Sequence, residues 1–175
     1  TKLDEVILKG NTILGNKFAS KNRTGSSFYL SKAELNQFGD IDINRVLDRI
    51  PGVTVYEEDG FGLRPNISLR GTSPERSSKI TIMEDGILAA PAPYSASSAY
   101  YFPSVARMSA VEVLKGSSQI QYGPNTTGGV INFVSSEISD SLKIDVENSY
   151  GSFKSGKLVS RISNSNETLG YLLEY

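Results

Sequence analysis

The chain has no cysteine and no histidine in its 175 residues. Without thiolate or imidazole there is no Ser-His-Asp or Cys-His nucleophile pair, no ordinary zinc site and no disulfide. What remains is carboxylate and tyrosine chemistry, so the reading is not an enzyme, with no cofactor and no metal of its own. An absence of cysteine is compatible with an oxidising periplasm without fixing the compartment. No excess of positive charge exists: the net charge is -1 and the pI about 5.6, which argues against a nucleic-acid partner. No apolar run approaches the ~20 residues of a membrane-spanning helix, and no signal peptide with a charged start and apolar middle is visible. If the protein is exported, the expectation is that the chain starts after processing. The glycine-rich run 123–129 lacks the G-K-[ST] ending of a phosphate-binding loop, and Asp40-Ile41-Asp42 lacks the later ligands of a calcium loop.

Against these absences, the stretch Pro103 to Val134 is rich in order. Val111 and Val113 alternate with Ala110, Glu112 and Leu114 as a strand with one well-buried face, ended by Lys115-Gly116. Gly123-Pro124 and Gly128-Gly129 then give a bend, and Val130 to Val134 reads as a second buried strand. Upstream, Ile43, Val46, Leu47 and Ile50 share one helix face, Pro51-Gly52 stops that helix, and Val53 to Tyr56 starts a strand. Ser31-Lys32-Ala33-Glu34 has the spacing of a capping box, followed by Leu35 and Phe38 and a stop at Gly39. Asn16 to Gly25 is polar and reads as a connection with solvated charges on Lys17, Lys21 and Arg23. Glu84-Asp85-Gly86 between two apolar runs is a hairpin signal. The pairs Val53/Val55, Ile67/Leu69, Ile80/Ile82 and Val111/Val113 supply the core of an α+β domain, a small mixed β-sheet with short helices.

Beyond Glu137 the texture changes. Leu142, Ile144 and Val146 alternate with Lys143, Asp145 and Glu147, and the pattern resumes at Leu158 and Ile162 and again at Leu169, Tyr171, Leu173 and Tyr175. Segments of ~10 alternating residues joined by turns match antiparallel strands of a transmembrane β-barrel. An edge hairpin of a soluble sheet gives the same alternation.

The succession VEVLKG, YG and GGVIN, with Asn66 to Gly71, Ile80 to Ile87 and the helix-PGV-strand unit in register upstream, resembles the plug domain of TonB-dependent outer-membrane receptors. The resemblance implies a plug at residues 11–138 and the first barrel strands at 139–175, the beginning of a longer receptor. It implies a TonB box within residues 1–10, with Asp4, Glu5, Val6, Ile7 and Leu8 captured as an added strand by a TonB-type energy-coupling protein. It also implies residence in the bacterial outer membrane, with lipid around the barrel, the plug inside it and the amino terminus in the periplasm. The basic residues of the LRG and VEVLKG segments, Arg70 and Lys115, correspond to those that pair with barrel glutamates and lock the plug. A lysine lacks the two-pronged contact of an arginine, so that lock is expected to be looser.

Binding residues sit on loops held by a rigid scaffold. Glu57 to Pro65 carries Arg64, Ala89 to Phe102 carries Tyr94, Tyr100 and Tyr101, and Arg76 lies between these two loops. The arginines suit an anionic ligand and the tyrosines offer hydroxyls and apolar faces to a chelate. Alternatively, the tyrosines pack the loop and the arginines are merely solvated. The APAPY segment from Ala90 to Tyr94 and its surroundings look most like ferric-citrate receptors, although such receptors place a glutamine where this chain has Ala96. The implied ligand is ferric citrate or another ferric siderophore. Cobalamin or a saccharide remains an alternative, as does a free-standing plug-like binding module.

Overall fold

The computed structural model describes residues 12–23, 25–37, 42–58, 64–89, 101–123 and 126–175. They pack as two compact units, one ending at Ser135 and the other spanning Ser136–Tyr175.

The first unit is a mixed sheet with three short helices. Its strands are β1 (Ser26–Ser31), β2 (Val53–Tyr56), β3 (Asn66–Leu69), β4 (Ile80–Glu84), β5 (Ile87–Leu88), β6 (Met108–Lys115) and β7 (Gly129–Ser135). Five of them form one sheet in the order β1-β6-β7-β4-β5, while β2 and β3 form a separate antiparallel pair. β4 runs parallel to β7, and the other pairings in the five-stranded sheet are antiparallel. The helices are α1 (Lys17–Asn22), α2 (Lys32–Asn36) and α3 (Ile43–Asp48).

Alternation puts one side chain set on each sheet face. Phe28 and Leu30 of β1, Ile80 and Ile82 of β4, Val111 and Val113 of β6, and Ile131 and Phe133 of β7 all belong to the main core. α3 covers this face with Ile43, Val46 and Leu47, followed by Ile50, all buried as its periodicity requires. Pro51-Gly52 ends the helix and turns the chain into β2, and Val53 donates its amide to Ile50 O at 3.0 Å. The close fit of β7 against its neighbours has a glycine at its root. A Cβ on Gly129 would lie 2.5 Å from both Leu114 O and Leu69 Cδ1, so no larger residue fits.

Two expectations need correction here. The segment read as a connection contains a helix, α1, whose N-cap Asn16 accepts from Ala19 N at 2.8 Å. Two of its charges have partners, Lys17 with Glu34 at 2.5 Å and Arg23 donating to Ile13 O at 2.6 Å, while Lys21 is exposed as expected. The central strand β6 is buried on both faces rather than one, with Glu112 wholly inaccessible. Its second face carries a smaller cluster of Leu14, Met83, Leu114 and Val130.

The capping box forms as the spacing predicts, with Glu34 accepting from Ser31 N at 3.0 Å and from Ser31 Oγ at 2.8 Å. Phe38 and Gly39 lie outside the described residues. The hairpin also forms: Asp85 and Gly86 both take positive φ between β4 and β5.

The second unit is a three-stranded antiparallel sheet, β8 (Lys143–Tyr150), β9 (Gly156–Ser165) and β10 (Gly170–Glu174), in the order β10-β9-β8. Register aligns Ile144, Ile162 and Leu173 across one face, and all three are exposed together with Val146. On the other face Asp145, Arg161 and Glu174 are aligned, and Arg161 Nε lies 2.8 Å from Glu174 Oε1. One apolar and one charged face is the pattern of a strand set between lipid and a polar lumen.

Candidate functional site

Arg70 and Lys115 come together. Arg70 follows the last residue of β3 with φ +54°, an uncommon conformation for a side-chain-bearing residue, and its amide donates to Gly52 O at 2.8 Å. Lys115, the last residue of β6, is buried and its ammonium donates to Pro51 O. The Pro51-Gly52 turn that terminates α3 is thus bound by the Lys115 ammonium and by the Arg70 backbone amide. Among the described residues no carboxylate pairs with either cation. Burial, and then the neighbouring Arg70 charge, push the Lys115 pKa below its ordinary value. A buried ammonium beside a guanidinium is costly unless an anion is supplied.

The candidate ligand residues are distributed over two places. Arg64 is exposed just before β3, and Arg76 is exposed with its amide donating to Asn66 Oδ1 at 2.8 Å. Ser77 ties the two segments, accepting from Ile67 N at 3.0 Å and donating to Pro65 O at 2.8 Å. Arg64 and Arg76 therefore belong to one corner, ahead of the first residue of β4.

Tyr101 stands by the last residue of β4 instead. Its hydroxyl donates to Glu84 Oε2 at 2.7 Å and accepts from Arg107 Nη2 at 2.8 Å, and Arg107 Nη2 also reaches Glu84 Oε1 at 2.6 Å. Burial, and then the hydrogen bond to Glu84, push the Tyr101 hydroxyl pKa up, so it remains a phenol. The next residue, Phe102, stacks edge-on against Phe133 at 5.3 Å between centroids. Together these contacts hold the carboxyl end of the 89–102 loop to the sheet. Tyr94 and Tyr100 lie outside the described residues, as do Asp4, Glu5, Val6, Ile7 and Leu8.

The sequence reading assigned no function to Glu112, whose carboxylate accepts four hydrogen bonds. Its Oε2 accepts from Ile13 N at 2.7 Å and from Asn132 Nδ2 at 2.8 Å, and its Oε1 accepts from Leu14 N and Gly15 N, each at 3.0 Å. The available signal was a lone carboxylate at the centre of an apolar strand, a residue type almost never fully buried without partners. Glu84 and Arg107, the clasp around Tyr101, were also not singled out.

A family model described as TonB-dependent Receptor Plug Domain matches residues 20–130, more than half of the chain. Solved structures agree with that match. An unliganded ferric citrate transporter, FecA, superposes with a TM-score of 0.80 at 25% identity, covering 98% of this chain and 28% of its own. The Pseudomonas aeruginosa pyoverdine receptor FpvA, bound to a heterologous pyoverdine and iron, gives a TM-score of 0.67 at 27% identity over 82% of this chain and 18% of its own. The Yersinia pestis ferric yersiniabactin uptake receptor FyuA gives 0.65 at 24% identity over 85% and 23%. The chain spans less than a third of each of these proteins.

Proposed function

Because the chain belongs to the TonB-dependent receptor plug-domain family, we propose that it is the amino-terminal part of an outer-membrane importer of a ferric chelate, with ferric citrate as the favoured ligand. In this reading residues 11–138 form the plug, 139–175 begin the barrel, and Asp4 to Leu8 within the first ten residues are the segment that the energy-coupling protein captures from the periplasm. The observation that carries it is the likeness to the ferric citrate transporter over 98% of the chain at 25% identity. The apolar face of β8–β10 supports the barrel assignment, since exposed aliphatic side chains at alternate positions suit a lipid boundary.

Transport then needs no bond to be broken. A chelate already carries its iron ligands, so the protein supplies cationic and hydrogen-bonding groups to a small polyanion. Arg64 and Arg76 are the plug cations at one corner, with Tyr94 and Tyr100 on the loop whose far end the Tyr101–Glu84–Arg107 clasp fixes. Arg70 and Lys115 wait for acidic residues of the barrel wall, which would remove the cost of their mutual proximity.

The test is uptake of ferric citrate by cells lacking their own ferric-citrate receptor and carrying the full-length receptor, with and without the coupling protein. Saturable uptake that requires the coupling protein is expected. Energy-dependent uptake of cobalamin, with no binding of ferric citrate, would move the ligand to another class.

A further inference from the structure

The second face of the five-stranded sheet is covered by residues 13 and 14, which pack with Met83, Leu114 and Val130 around the Glu112 carboxylate. Three consecutive amides, of Ile13, Leu14 and Gly15, converge on the two oxygens of Glu112. This is the concave arrangement that backbone nests present to anions. Gly15 closes it at φ +79° with nothing within 4 Å of a would-be Cβ, so glycine is there for its backbone angle and not for space. Among the described residues no cation bonds to Glu112, so its charge is balanced by amide dipoles and by Asn132. Asn132 is itself oriented by Gly86 N, which donates to its Oδ1 at 2.9 Å.

We propose that Glu112 and the 13–15 amides form a release clip that holds the amino-terminal segment to the plug until that segment is drawn away. This rests on the importer reading for what does the drawing. The clip itself is a property of the described residues. Its chemistry suits repeated opening. Hydrogen bonds to a carboxylate are strong in a water-excluded site, yet each group released can be taken up by water, whereas detaching a wholly apolar patch would leave it exposed. The apolar part of the clip is limited to Leu14 and the half-buried Ile13 against Met83, Leu114 and Val130, flanked by Tyr29 and Tyr122. Arg23, which donates to Ile13 O, is a second point of attachment on the same segment and lies at the end of α1.

Residues 1–175 hold no cysteine, so Thr12→Cys with a nitroxide, in a full-length receptor whose remaining cysteines, if any, are replaced by serine, reports the segment directly. Its spectrum is expected to be immobile in the parent and mobile in both Glu112→Gln and Gly15→Ala. Glu112→Gln removes the charge and one acceptor oxygen, and Gly15→Ala strains the nest without touching the sheet. Affinity of the periplasmic domain of the coupling protein for the unliganded receptor should rise about tenfold in each variant, because detachment no longer opposes capture. Affinity for ferric citrate should not change. If Glu112→Gln fails to assemble, Gly15→Ala decides alone. A label equally immobile in the parent and in Gly15→Ala, or already mobile in the parent, would overturn the clip. Loss of coupling-protein binding in all forms, with the mobility difference intact, would instead count against the importer reading and leave the clip standing.

Discussion

Arg64 and Arg76 offer their charge to solvent from one corner, so their contribution is read in ligand binding and not in folding. In the full receptor Arg64→Ala is expected to weaken ferric citrate by about 1.5–3 kcal/mol, the range for losing a hydrogen bond to a charged group. Lys21→Ala, on exposed α1, should leave affinity unchanged in the same titration. Lys115 behaves differently, because it is buried and carries its charge beside that of the exposed Arg70. The pKa of Lys115 is below its ordinary value in the folded chain, so the unfolded chain binds more protons in the window between the two values. Stability should therefore rise with pH across that alkaline window in the isolated chain, and Lys115→Met should remove that part of the rise in denaturant melts. Barrel carboxylates would reverse the sign. In the full receptor the double change Arg70→Ala with Lys115→Ala should loosen the plug, since breaking a buried ion pair costs about 3–5 kcal/mol. Ion leakage through reconstituted receptor measures it, and unaltered leakage would refute the lock.

At the scale of elements, most strands and α3 were legible because their residues speak to near neighbours: period two in β6, a short apolar run after a glycine bend in β7, period 3.6 in α3, and a stop at Pro51-Gly52, whereas β1 was not read from the sequence. The Asp85-Gly86 corner and the Ser31–Glu34 box were legible for the same reason. α1 was not, because Lys17–Asn22 carries no apolar stripe and owes its start to the Asn16 cap. Glu112 was not either, since three of its partners are backbone amides 97 to 99 residues away, which any residue has, and the fourth is Asn132 on the neighbouring strand. The candidate ligand residues could be named by type, but no local pattern says that Tyr101 is committed to Glu84 and Arg107. For α2, Ser31→Ala should cost about 0.5–2 kcal/mol through loss of the cap. Glu34 is held down to about 2, chiefly by Lys17 and then by Ser31. Its stabilising contribution is thus complete above its unfolded value of 4.5 and declines as pH falls toward about 2. Acid melts of the parent against Glu34→Gln should converge over that interval. In the amino-terminal segment Val6→Pro should abolish energy-dependent uptake while ferric citrate still binds, because proline removes a backbone donor needed for strand pairing. Normal uptake in that receptor would refute the assignment of Asp4 to Leu8.

At the scale of the whole chain, the two units ask for different surroundings. The first has a core on both sheet faces, while the second leaves Ile144, Val146, Ile162 and Leu173 exposed on one face, with strands β8 and β10 at its open edges. Residues 1–175 in water are expected to self-associate and to be dispersed by detergent, whereas residues 1–135 should not, as light scattering behind a sizing column would show. Strand order carries a further consequence. Among the described residues β1 is the first strand in sequence and lies at one edge of its sheet, and β6, β7, β4 and β5 remain a contiguous sheet without it. A tug that peels away everything before residue 32 thus leaves a ready template, the freed edge of β6 from Ala110 to Lys115. Phe28 and Leu30 face the core in only one register, so a slip by one residue would present Tyr29 to it instead. A strand lost from that edge would therefore meet a single register on its return, the one that seats Phe28 and Leu30 again.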